Sequence, residues 1–124
     1  MSFWVLVAAA VAGGVGAGLR YLVDVLVVGR APERFPLGIL VVNVSGSFAL
    51  GALTGIGAQW IADEVAWVVG VGLLGGYTTF SAVSLDSVLL AQGGSGRRAA
   101  LNAVGTLVLG VGAAALGLAL GSLF

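Results

Sequence analysis

The chain has 124 residues, of which 60% are hydrophobic and 8% are charged. So few charged side chains cannot cover a soluble domain of this size, so we expect an integral membrane protein. Five basic residues balance five acidic ones, which gives no net charge to attract nucleic acid. Cysteine and histidine are both absent, which removes disulfides, thiol nucleophiles and imidazole bases. We therefore do not expect an enzyme.

Four hydrophobic stretches, separated by short charged segments, predict an all-α membrane protein with a single domain over residues 1–124. The approximate spans are 3–28, 36–61, 66–91 and 98–123. Each is long enough to cross the roughly 30 Å hydrocarbon core of a bilayer as a helix. Short connections predict antiparallel neighbours. Because four such helices do not enclose a pathway alone, we expect an oligomer.

Pairs of glycines four residues apart occur in every span, and this spacing is typical of helices that pack closely in membranes. The pairs are Gly14/Gly18, Gly51/Gly55, Gly72/Gly76 and Gly117/Gly121.

The centre of the third span contains poor helix formers, namely Gly75, Gly76, Thr78 and Thr79. Non-helical backbone at this depth is tolerated only where it is buried in protein or lines a cavity. Two interpretations stand. The helix is broken here, so that freed carbonyls can bind a cation and freed amides can face an anion. Alternatively, the helix is continuous and flexes at the glycines, with the threonines bonded to their own turn.

Charged and amide groups within the spans are costly, which makes each a functional candidate. Arg20 either pairs with Asp24 one turn later or places a fixed positive charge at the vestibule of an anion path. Asn43 can donate two hydrogen bonds to an anion or can bond a neighbouring helix.

Hydroxyl groups and one aromatic ring complete the candidates. Ser81 and Ser84 share a helix face, and Thr106 and Asn102 lie in the fourth span. Such hydroxyls either pass a small anion along a pathway or join helices. Phe80 is either apolar filling or a ring whose positive edge faces an anion in a dry pore.

Three motifs cover most of the chain. They are Gly13-Gly14-x-Gly16-Ala17-x-x-Arg20-Tyr21, Asn43-x-x-Gly46-Ser47-Phe48 and Gly75-Gly76-Tyr77-Thr78-Thr79-Phe80-Ser81. In order and spacing they resemble the fluoride channel family known as Fluc or CrcB. The resemblance implies an antiparallel, dual-topology dimer of four-helix subunits in the cell membrane, with the third helix broken at its centre. It also implies passive export of cytoplasmic fluoride.

The same resemblance implies roles for particular residues. A structural sodium ion, which is not transported, would be held at the dimer interface by carbonyls that fall on Gly75 and Thr78. The fluoride pathway would include Asn43 and the ring edge of Phe80. The hydroxyls of Ser81, Ser84 and Thr106 are further pathway candidates. One departure concerns Val83, which stands where the family usually has a second phenylalanine.

The distribution of arginine predicts a single orientation. Arg30, Arg34, Arg97 and Arg98 lie in two loops on one side of the membrane, and the other side has no basic residue. The positive-inside rule then places these loops in the cytoplasm and both termini outside. We therefore expect pairing with a homologous subunit in the opposite orientation that supplies the missing ring. The alternative is a homodimer with a reduced pore.

Two other functions are open at this stage. A proton-coupled exporter similar to the small multidrug transporters would need a carboxylate deep in the first helix, whereas Asp24 lies near its end. A non-conducting partner subunit of a heterodimeric channel is compatible with Val83.

Overall fold

The computed structural model describes residues 1–28 and 35–124, which are helical and contain no strand. The elements are α1 (Phe3–Val28), α2 (Leu37–Ile56), α3 (Asp63–Trp67), a π-helix (Val68–Leu74), α4 (Gly75–Tyr77), α5 (Phe80–Gln92) and α6 (Gly96–Gly121). Within these ranges, four stretches are long and apolar enough to cross a membrane: Phe3–Val27, Leu37–Ile56, Asp63–Gln92 and Gly96–Gly121. The chain is therefore an all-helical, multi-pass membrane protein. Arg30 and Arg34 lie outside the described residues.

Helices α2 and α6 pack directly against each other through glycine. A Cβ atom placed on Gly51 would overlap the main chain at Ala114, and one placed on Gly117 would overlap the carbonyl of Phe48. Gly55 and Gly121 are equally close to the opposite main chain. The predicted packing role of these two glycine pairs is confirmed, because any side chain here would force the helices apart.

Helix α1 packs against the first half of the third span at the predicted pair Gly72/Gly76, whose packing role is also confirmed. A Cβ atom on Gly76 would overlap the main chain of Gly13, and one on Gly16 would overlap the carbonyl of Leu73. By contrast, a Cβ atom on Gly14 or Gly18 would meet no atom of another described element within 4 Å. These two glycines therefore face away from the subunit.

The two halves of the third span rest on different helices. The π-helix and α4 pack mainly on α1, whereas α5 packs mainly on α6. The interruption between α4 and α5 thus lies where the chain passes from one supporting helix to the other.

Two contacts define the ends of the bundle. The guanidinium of Arg98 lies 5.9 Å from the ring centroid of Phe35, which brings the start of α6 to the start of α2. Trp60 Nε1 donates to the carbonyl of Phe124 at 3.1 Å, which joins the second loop to the end of the chain. Arg97 and Arg98 therefore lie at the opposite end of the bundle from Trp60.

Candidate functional site

The third span leaves helical geometry at two residues, Thr78 and Thr79. Their φ and ψ angles are −80° and 156°, and −151° and 128°, which are extended conformations. Threonine adopts them readily because its branched Cβ disfavours the helix. The Thr78 hydroxyl donates to the carbonyl of Leu74 at 2.8 Å, and Thr79 Oγ1 accepts from the amide of Ala82 at 3.3 Å. Each half of the span therefore has a side-chain hydrogen bond at the interruption.

Asn43 on α2 holds the interruption from the side. The Thr79 amide donates to Asn43 Oδ1 at 2.8 Å, and Asn43 Nδ2 donates to the Thr79 carbonyl at 2.9 Å. The side-chain amide thus pairs both polar groups of one residue's backbone, as a neighbouring strand would. Asn43 is only 8% exposed. Because the membrane interior supplies no water, the Thr79 amide and carbonyl need these hydrogen bonds from a protein group. Its second Nδ2 hydrogen stays available for another acceptor.

Gly46 lets α2 come close enough for this pairing. A Cβ atom at Gly46 would overlap the methyl group of Thr78 and lie 3.1 Å from the ring of Tyr77. The Ser45 hydroxyl and the Tyr77 hydroxyl are 2.9 Å apart and share a hydrogen bond. Asn43 and Gly46 are three residues apart and so share a helix face. The spacing Asn43-x-x-Gly46 therefore combines a hydrogen-bonding side chain with the room it requires.

The end of α4 exposes main-chain oxygens. The last carbonyls of any helix have no partner within that helix. In a continuous helix the Thr79 amide would donate to the Gly75 carbonyl, but here it donates to Asn43. Both Gly75 and Thr78 line the pocket beside the interruption.

This pocket has a volume of about 600 Å³ and lies between the interruption, α2 and α6. Its polar lining residues are Asn43, Ser47, Thr78, Thr79 and Thr106. The Thr106 hydroxyl is buried and has no hydrogen-bond partner among the described residues. A buried hydroxyl normally has a partner. Thr106 is therefore free to bond a species that enters the pocket.

The ring of Phe80 is 84% exposed although it lies near the centre of a span. It lines the pocket and projects away from the subunit. Val83, one turn later, is only 5% exposed and lines the same pocket. The position at which the resemblance leads us to expect a second ring thus has a small, buried side chain here.

The structure brings some of the predicted residues together and separates others. Asn43, Gly75, Thr78, Phe80 and Thr106 line one pocket. Ser81 and Ser84 lie on α5 beside it but are not among its lining residues. The Ser84 hydroxyl donates to the carbonyl of Phe80 at 3.1 Å, and the Ser81 hydroxyl lies 3.3 Å from Thr79 Oγ1. Arg20 lies on α1, which contributes no residue to the pocket lining.

Two pocket residues received no role from the sequence. Ser47 lies four residues after Asn43 and so on the same helix face, a spacing that could have identified it. Thr79 was considered as a poor helix former that could bond its own turn, although a threonine before an apolar run is also a signal for a helix start.

The chain matches the model of the family described as "CrcB-like protein, Camphor Resistance (CrcB)" over residues 7–118. A Leifsonia xyli subsp. xyli protein named "Fluoride-specific ion channel FluC 1" is 46% identical over 96% of this chain and 88% of its own length. The protein of that same name from Symbiobacterium thermophilum is 47% identical over 95% of this chain and 96% of its own length. "Fluoride-specific ion channel FluC 2" of Cutibacterium acnes is 42% identical over 90% and 92%. The chain belongs to the CrcB-like family.

Proposed function

We propose that this protein is a subunit of a fluoride-specific ion channel that gives passive export of cytoplasmic fluoride. The proposal rests on the interruption of the third span, which is hydrogen-bonded to Asn43 and lies beside the exposed ring of Phe80. Relatives that match the chain over nearly its full length are named fluoride-specific ion channels. The function is conduction and not catalysis.

The chemistry of the pocket suits a small, strongly hydrated anion. Such an ion crosses a dry pore only where hydrogen-bond donors replace its water. The second Nδ2 hydrogen of Asn43 and the unpartnered hydroxyl of Thr106 are two such donors in one pocket. The ring of Phe80 would offer its positive edge, which attracts an anion without binding it tightly. Ser81 and Ser84 would extend the path along α5, and Arg20 would add positive charge at the vestibule.

A structural sodium ion is part of the proposal. The carbonyls of Gly75 and Thr78 lie where the helix ends, and main-chain oxygens are suitable ligands for a monovalent cation. One subunit supplies too few of them to surround an ion, so the site would be completed by a second subunit. The ion would add fixed positive charge near the dimer axis and would not be transported.

The partner in this proposal is a second subunit of the same family in the opposite orientation. The ring of Phe80 is 84% exposed on the subunit, so it is available for contact with a partner subunit. The bias of the loop arginines favours one orientation for this chain, with both termini outside. A heterodimer whose partner supplies the ring missing at Val83 is therefore favoured over a homodimer with a reduced pore.

A second candidate is a non-conducting partner subunit, which the valine at position 83 favours. The two candidates differ in one result. In a conducting subunit, Asn43→Asp or Phe80→Ile lowers fluoride flux through the pair, and in a non-conducting subunit neither variant changes it. The exporter alternative has no comparable support, because the chain belongs to the CrcB-like family.

The experiment that tests the proposal reconstitutes the purified chain in liposomes loaded with potassium fluoride. Efflux is started with valinomycin and followed with a fluoride electrode. Full, sodium-dependent efflux from the chain alone would support the channel and refute the obligate heterodimer. Equal efflux of fluoride and chloride would refute a fluoride-specific channel.

A further inference from the structure

Asn102 on α6 is a buried amide outside the pocket just described. It is 3% exposed and lies in an apolar span. Its Nδ2 donates to Ser87 Oγ at 3.0 Å and to the Val83 carbonyl at 3.4 Å. Both hydrogens of the amide are therefore used on α5, the second half of the interrupted span. A buried amide within a membrane helix is costly, and such residues commonly have a functional reason to be there.

The two acceptors lie on one face of α5, because Val83 and Ser87 are four residues apart. Phe80 lies two turns before Ser87 and so projects close to this face. Since α5 is separated from α4 by two extended residues, its rotation about its own axis depends on its packing against α6 and on its polar contacts. Two hydrogen bonds from one amide, one turn apart along α5, constrain that rotation.

We propose that Asn102 is a positioning residue that sets the rotation of α5 and thereby the direction in which Phe80 projects. An α-helix with its side chains has a radius of about 5–6 Å, so a turn of about 20° would move a peripheral ring by about 2 Å. A displacement of that size removes an edge contact to a small ion. Asn43 fixes where α5 begins, and Asn102 fixes how it is turned.

The first test measures the geometry of α5 directly and does not depend on conduction. The chain has no cysteine, so spin labels can be attached only at introduced sites. Leu89→Cys on α5 and Val108→Cys on α6 replace exposed side chains, and the labelled chain is diluted with unlabelled chain. Asn102→Leu is expected to shift or broaden the distance distribution between the labels. An unchanged distribution would overturn the proposal.

The matched control is Thr54→Val. It also removes a hydrogen-bonding group from a span, but the Thr54 hydroxyl donates only to the carbonyl of Leu50 in its own helix. This variant is expected to leave the label distances as they are. If it broadens them as much as Asn102→Leu does, the effect is general loosening and the positioning role is refuted.

The second test rests on the proposed function. Loss of two interhelical hydrogen bonds is expected to lower the fluoride turnover per reconstituted channel by about tenfold and to reduce its selectivity over chloride. Ser87→Ala removes one acceptor and should give a smaller loss, and the double variant should be no worse than Asn102→Leu. A lower yield of folded protein whose channels keep normal rate and selectivity would mean a merely structural residue. If the label distances shift while the unaltered chain carries no fluoride even together with an oppositely oriented partner subunit, the positioning role stands and the proposed function fails.

Discussion

The pairing of Asn43 with the Thr79 backbone should be measurable as stability. Asn43→Leu keeps the approximate size of the side chain and removes both hydrogen bonds, at 2.8 and 2.9 Å. Interhelical hydrogen bonds in membrane proteins contribute about 0.6 kcal/mol on average and up to about 1.7 kcal/mol. Loss of both hydrogen bonds is therefore expected to lower the free energy of unfolding by about 1–3 kcal/mol. The upper half of that range is favoured, since the Thr79 amide and carbonyl would both be left unpaired at membrane depth.

The assay is unfolding of the purified protein by titration with a denaturing detergent, followed by circular dichroism. Gln59→Leu is the matched control because it removes an amide from an exposed loop residue, and it should change the unfolding free energy by less than about 0.5 kcal/mol. The reasoning is refuted if Asn43→Leu unfolds like the unaltered protein.

Three further predictions follow from the packing, the exposed ring and the arginines. Gly76→Ala should destabilise the fold by about 1–3 kcal/mol because the added methyl overlaps the main chain of α1, whereas Gly14→Ala should be nearly neutral in the same unfolding assay. Phe80→Ile should lower fluoride efflux and leave subunit unfolding almost unchanged, because the ring is exposed; a loss of stability without a loss of efflux would contradict its role. Replacing Arg30, Arg34, Arg97 and Arg98 together by glutamine should produce mixed orientation, measured by labelling of single introduced cysteines from each side; a persisting single orientation would contradict the charge argument.

Composition and hydropathy were sufficient to predict a membrane protein with four spans, because a helix exposed to lipid must be long, apolar and nearly free of charge. The glycine pairs at Gly51/Gly55 and Gly117/Gly121 also identified a real helix contact. Gly72/Gly76 did so against α1, whereas Gly14/Gly18 contact no other described element of the subunit. A helix that is apolar on every side carries little information about which face packs inward. The sequence of residues 68–74 did not predict the π-helix that the structure shows there.

The sequence indicated candidate residues for the site, but it did not indicate which of them contact one another. Poor helix formers indicated Thr78 and Thr79, but a glycine-flexed helix explained them equally well. What distinguishes the two interpretations is the pairing with Asn43, which is 36 residues away along the chain. Such a contact depends on how α2 lies against the third span, and local sequence does not contain that information. The same applies to Asn102 and its acceptors on α5.

The proposal that this chain conducts fluoride as one subunit of an antiparallel pair is tested most directly by measuring fluoride and chloride efflux through such a pair. A copy of the chain can be inverted by replacing its four loop arginines with glutamine and introducing Gln59→Arg and Asp63→Arg in the second loop. Val83→Phe in the same copy supplies the ring that this chain lacks. Liposomes that contain the unaltered chain together with this copy should release fluoride after valinomycin and retain chloride, while either chain alone releases little. Equal loss of chloride, or no fluoride release from any of the three preparations, would contradict the account.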